Sequence, residues 1–184
     1  MALGVLAVIK AVRPDEKVMV IARNEEALQF ATDYGADKCF ALSQVNPNKI
    51  AQAVRDELAD LVATDHFDHS AASDFPSAKS KAGKLAMEAA LEAVRAARSR
   101  GAQTETILNE LHEAARKAAE EVVVQENTDV FKAAQKHASG FISSVFECTG
   151  DERLLVTLIN SRAMLANGTI IGLGCHYAVS FDIA

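Results

Sequence analysis

A chain of 184 residues that is 49% apolar and 24% charged is long enough to bury a core without disulfides or metal staples. Its net charge of −6 and the lack of any Lys/Arg-dense stretch argue against a nucleic-acid partner. Three cysteines (Cys39, Cys148, Cys175) at unrelated spacings, with no CxxC pair, signal neither a disulfide framework nor a structural zinc site and fit a reducing, cytoplasmic setting.

The opening stretch MALGVLAVIKAVRP is apolar for nine residues before Lys10 and Arg13. It has no basic region ahead of the apolar run and is too short for a bilayer, so it reads as a helix rather than a signal peptide or anchor, and no membrane partner is expected. Pro14-Asp15 marks a turn, and KVMVIA (17–22) is a short β-branched run of the kind buried in a parallel sheet. NEEALQFATDYGAD then reads as a helix, with Glu25 and Glu26 in its first turn and Gly35 as its stop, and KCFAL as a second strand.

From about 46 to 136 the pattern is almost entirely helical. Asn46-Pro47 starts a helix with Ile50, Val54, Leu58 and Leu61 along one face, and DHFDHSAASDFPS interrupts it. An Ala-rich helix is predicted from Ser77 to Arg100, stopped by Gly101. Another is predicted from Thr104 to Val122, with Ile107, Leu111, Ala115, Ala118 and Val122 on one face, and NTDVFKAAQKHASG is a separate helix before the strand FISSVFECTG. Residues 77–126 carry as many basic as acidic side chains, so the whole net charge lies outside them. A neutral, Ala-rich helical pair is suited to packing rather than to binding an ionic ligand.

The C-terminal part returns to the texture of the N-terminal one: DERLLVTLINSRAML reads as an amphipathic helix, Asn167-Gly168 as a turn and TIIGLG as a strand. Strands alternating with helices imply right-handed crossovers and a parallel sheet. The expected organisation is an α/β domain formed by 1–43 and 126–184, interrupted by a helical insertion at 44–125 for which an αα-hairpin is the natural shape.

VIARNEEALQFATDYGAD, FECTGDERLL and NGTIIGLG, in that order, resemble the nucleotide-binding domain of the medium-chain dehydrogenase/reductase superfamily, and most of all its zinc-type alcohol and polyol dehydrogenases. The resemblance covers 1–42 and 126–184, a little over half of the chain. It implies a Rossmann-type parallel sheet that lacks its first strand. The family's first strand and glycine-rich loop would precede this sequence, with Gly4 matching the third glycine of that loop.

The resemblance also implies a set of cofactor-binding residues. Where a carboxylate that selects NAD would close the second strand, this sequence has Ala22, followed by Arg23 and Asn24. A small residue makes room and a guanidinium can fork a 2′-phosphate, so the implied cofactor is NADP(H) rather than NAD. Cys148, Thr149 and Gly150 match the adenosine side of the cleft, and Gly172, Leu173 and Gly174 match the loop that passes the nicotinamide. The zinc ligands and proton relay of the family belong to a catalytic domain that is not in this sequence, so no catalytic or metal-binding residue is assigned and the chain alone is expected to be inactive.

A different class of function fits the same residues: a non-enzymatic interaction or oligomerisation module that docks a protein partner or a second copy through the helical insertion. Other candidate chemistry is thin. His66 and His69, with Asp65 and Asp68, have helical metal-ligand spacing but no distant third ligand, and read as a solvated loop. Cys175 and His176 are adjacent and would diverge on a strand, and His112 between Glu110 and Glu113 reads as a solvated surface side chain.

Overall fold

The computed structural model describes residues 2–64, 75–139 and 142–172. In chain order they form α1 (Ala2–Val12), β1 (Met19–Ala22), α2 (Glu25–Asp33), β2 (Lys38–Ala41), α3 (Pro47–Ala63), a 3-10 turn (Pro76–Lys79), α4 (Lys81–Ser99), α5 (Thr104–His137), β3 (Ile142–Glu147), α6 (Glu152–Asn160) and β4 (Met164–Gly172). The fold is mixed α/β, and it divides into two compact units, one of 1–43 with 126–184 and one of 44–125. No helix among the described residues is long and apolar enough to cross a membrane.

In the first unit β1 pairs with β2 in parallel, from Met19↔Lys38 to Ala22↔Ala41. β3 pairs with β4, also in parallel, from Ile142↔Met164 and then from Ser144↔Thr169 to Glu147↔Gly172. The strands thus form two separate two-stranded sheets rather than one. The jump in register between Ile142 and Ser144 places Asn167-Gly168, predicted as a turn, inside β4 at an irregularity of the ladder.

Both sheets contribute to one apolar cluster. Leu42, Phe131, Leu158 and Ala163 are buried at its centre, with Ile21 of β1, Val145 of β3 and Ile170 of β4 packed against them. Local chemistry sets the elements that carry these side chains. The Asn24 side chain accepts from the Glu26 N–H at 2.8 Å and starts α2, and Gly35 at φ +89° ends it in the left-handed conformation that glycine adopts without a Cβ penalty. The Lys10 ammonium, at the end of α1, reaches Asp37 Oδ2 at 2.7 Å, and the same oxygen accepts from the Val18 N–H at 2.8 Å. One carboxylate therefore ties together α1, the lead-in to β1 and the lead-in to β2.

The second unit is helical. Asn46 caps α3 by accepting from the Lys49 N–H, with Pro47 at the first helical position. α3, α4 and the first part of α5 share a core of Val54, Leu58, Met87, Val94, Ile107 and Leu111, interleaved with Ala51, Ala86, Ala90, Ala97, Ala115 and Ala119. Gly101 at φ +70° makes the turn between α4 and α5.

Two expectations about helix ends are corrected. α5 is one 34-residue helix, without the break predicted after Val122. Asn127, the first residue of the helix expected to be separate, is only 3% exposed, and its side chain accepts the Ser43 N–H at 2.9 Å, which gives the amide a buried partner without leaving the helix. α6 stops at Asn160 rather than running on to Leu165, because Arg162 turns the backbone at φ +55° and Met164 already begins β4.

Candidate functional site

β1 and β3 run out at Ala22 and Glu147, and the chain turns from each into a helix. Arg23 and Asn24 leave the end of β1, and Asn24 is committed to capping α2. Cys148, Thr149 and Gly150 leave the end of β3, with Gly150 at φ +70°, and Asp151 caps α6 by accepting from the Arg153 and Leu154 N–H groups at 3.1 and 3.3 Å. The two turns meet: Arg23 Nη2 lies 2.8 Å from Asp151 Oδ2. The guanidinium is still 54% exposed, whereas the Asp151 side chain is 27% exposed.

The turn after β3 is organised around Glu147, which is only 6% exposed. Its Oε1 accepts from the Thr149 N–H at 2.6 Å, from the Thr149 hydroxyl and from the Gly150 N–H at 3.2 Å, while the Thr149 Oγ1 in turn accepts from the Asp151 N–H. A concave row of N–H groups of this kind attracts anions, and here it is satisfied by an anion of the chain itself. The same carboxylate, after the larger effect of burial, helps to push the Cys148 thiol up from its ordinary value of 9.0. Both effects favour the thiol form of Cys148, whose Sγ lies 3.7 Å from the Phe146 carbonyl.

Of the residues singled out from sequence, Ala22, Arg23 and Asn24 are therefore brought beside the turn of Cys148, Thr149 and Gly150. Gly172 joins them at the strand ends, since it is the register partner of Glu147. Leu173 and Gly174 lie outside the described residues, as do His66, His69, Cys175 and His176. Gly4 stands apart, exposed within α1, where an added Cβ would meet nothing within 4 Å. His112 is not simply solvated: it is half-buried, and its Nδ1 is enclosed without a hydrogen-bond partner among the described residues.

Two acids went unnoticed at the sequence level, Glu147 and Asp151. Asp151 had a readable signal, an Asp immediately before an amphipathic run and hence a candidate N-cap. Glu147 had none beyond being an acid at the end of a strand.

No group of three or more His, Cys, Asp or Glu side chains arranged to hold a metal ion occurs among the described residues. The adenosine half of a dinucleotide fits what the strand ends present: a small residue closing β1, no carboxylate on that strand end and an exposed guanidinium beside it. The pyrophosphate half has no glycine-rich cradle among the described residues.

The second unit contains a groove of about 400 Å³ between α4 and α5, with Leu85, Ala89, Ala118 and Val122 on its apolar side and Glu88, Glu92 and Glu121 among its polar lining. Compared with protein-family models, with curated proteins and with solved structures, the chain matches none.

Proposed function

We propose that this chain is the cofactor-binding portion of an NADP(H)-dependent oxidoreductase of the alcohol-dehydrogenase type, built on a doubly wound Rossmann sheet. The observation that carries the reading is the meeting of the β1 and β3 turns through Arg23 and Asp151. A doubly wound sheet with its central strand taken out would leave two parallel pairs, β2 beside β1 and β3 beside β4, with the ends of the two inner strands close together. Ligands of such sheets bind at the carboxyl ends of the strands, which is where Ala22, Arg23, Cys148, Thr149, Gly150 and Gly172 gather.

In this reading Arg23 forks the 2′-phosphate with charge-assisted N–H bonds, and Ala22 leaves the space that an acid would fill and repel. The turn of Cys148, Thr149 and Gly150 lies against the adenosine, and Gly172, at the end of β4, lies on the nicotinamide side. The bound cofactor would supply hydride exchange with an alcohol or carbonyl. The groups that activate that substrate, a zinc site included, are assigned to a catalytic domain outside this sequence, so the chain alone binds without turning over.

The test uses nucleotides that need only the adenosine half. Titration of the 184-residue chain with 2′-AMP and with 5′-AMP, followed by NMR shifts or calorimetry, should give about tenfold tighter binding of 2′-AMP, the order of one charge-assisted fork. Arg23→Ala should erase the difference. Equal affinities in the native chain, or a preference that survives Arg23→Ala, would sink the reading.

The groove between α4 and α5, with half-exposed Leu85 beside Glu88 and Glu92, favours a second reading, an interaction module in which the α/β unit is scaffold. A chain that ignores both nucleotides but self-associates in sedimentation would put this reading first.

A further inference from the structure

The geometry points to Asp151 as a specificity-determining residue of the nucleotide site, one that weakens the hold on a 2′-phosphate by competing for Arg23; this rests on the nucleotide-binding reading above. The competitor is fixed in place. Asp151 Oδ1 is committed to the Arg153 and Leu154 N–H groups at the start of α6, and Oδ2 faces Arg23 Nη2 at 2.8 Å. The carboxylate therefore cannot swing away from Arg23 without uncapping the helix.

A guanidinium binds a phosphate best with two parallel N–H groups, and the end-on fork uses Nη1 and Nη2 together. Asp151 already takes Nη2, so an incoming 2′-phosphate must either displace a tethered carboxylate or share Arg23 with it at close range. Displacement gives up an existing ion pair, and sharing sets two like charges side by side. No second anion site relieves the conflict in the neighbouring turn, because the Thr149 and Gly150 N–H groups already serve the buried Glu147 carboxylate. A ribose with free hydroxyls meets no such conflict, since a hydroxyl can donate to Asp151 Oδ2 while accepting from Arg23. Arg23 alone would select more strongly for the phosphorylated ribose, and Asp151 narrows that selection without cancelling it.

Asp151→Asn separates this role from the structural one. Asparagine caps helices as well as aspartate does, so α6 should be retained, while the competing charge is lost. The 184-residue chain, its Asp151→Asn variant and a Glu152→Gln variant, which removes the adjacent charge, would each be titrated with 2′-AMP and 5′-AMP at low and high salt, with thermal melts run alongside. The expected result is that Asp151→Asn widens the preference for 2′-AMP about fivefold, the order of an exposed charge pair. Most of that gain should disappear in high salt, and Glu152→Gln should change the preference less than twofold.

If the native chain prefers 2′-AMP and Asp151→Asn leaves that preference unchanged, the proposal is wrong and the nucleotide-binding reading stands. A preference reduced by Asp151→Asn would mean that Asp151 holds Arg23 in a productive position, which also overturns the proposal. If no chain distinguishes the two nucleotides, the nucleotide-binding reading fails and takes the proposal with it.

Discussion

Arg98 on α4 closes the end of α3 at Thr64: Arg98 Nη2 donates to the Thr64 carbonyl at 2.8 Å, and the same nitrogen lies 3.0 and 3.3 Å from the carbonyls of Val62 and Leu61. The last carbonyls of a helix have no partner within it, and Thr64 itself leaves the helix in an extended conformation. The guanidinium thus supplies what a glycine C-cap would otherwise provide. Arg98→Ala should lower the stability of the helical unit by about 1–2 kcal/mol, the scale of lost hydrogen bonds to partly buried carbonyls. Urea unfolding followed by far-UV circular dichroism would read it, and an unchanged midpoint would mean that water caps α3 equally well.

Gly83 and Gly4 both sit in helices, yet they should respond in opposite ways to alanine. A Cβ at Gly83 would lie 1.7 Å from the Ser77 carbonyl oxygen and 2.8 Å from its carbon, backbone atoms that no rotamer change can move. The 3-10 turn that carries Ser77 is itself held by Glu57, which accepts the Ser77 N–H at 3.0 Å. Gly83→Ala should therefore cost at least the roughly 1–3 kcal/mol of an overpacked core. At Gly4 an added Cβ meets open space, so Gly4→Ala should stabilise by roughly 0.5–1 kcal/mol through helix propensity. Paired thermal melts check both signs, and a destabilising Gly4→Ala would reveal a close neighbour that the described residues do not include.

Asp37 makes the first unit sensitive to acid. The Lys10 ammonium bonded to it, and next the Val18 N–H, hold its carboxyl below the ordinary value of 3.8. A carboxyl depressed on folding contributes stability that is present above its unfolded value and is lost as pH falls through its folded one. The difference in melting temperature between the native chain and Asp37→Asn should accordingly be constant from neutrality down to about pH 5 and should shrink below pH 4. A difference that persists unchanged at pH 2 would remove the ionic explanation.

Local signals in the sequence located most of the elements and few of their ends. Asn46-Pro47, Gly35 and Gly101 each mark a boundary because the residue type itself meets the demand, a cap oxygen or a left-handed backbone. The end of α6 was hidden because an arginine, Arg162, takes the left-handed conformation, which nothing in its type announces. The continuity of α5 was hidden because its weakest point, Asn127, is supported by Ser43, a residue far away in the chain.

The strand-end cluster was legible in part. Ala22, Arg23 and the CTG turn could be picked out only through the resemblance of their motifs to a dehydrogenase nucleotide-binding domain, whereas the contact between Arg23 and Asp151 joins residues 128 positions apart. Glu147, an acid turned inward to serve its own turn, reads on paper like any other charged residue.

The division of the chain into a contiguous unit inside a discontinuous one has a consequence for its synthesis. Residues 44–125 emerge from the ribosome with all their partners among themselves, and helices packing on near neighbours fold quickly. Residues 2–43 emerge first, yet their core must wait for Phe131, Leu158 and Ala163. The apolar strand MVIA of β1, whose Ile21 packs on that cluster, thus emerges before the helical unit and is covered after it. A factor that shields nascent apolar segments would be needed at β1 while the helical unit is being made, and would be released only when the β3–α6 turn has been made.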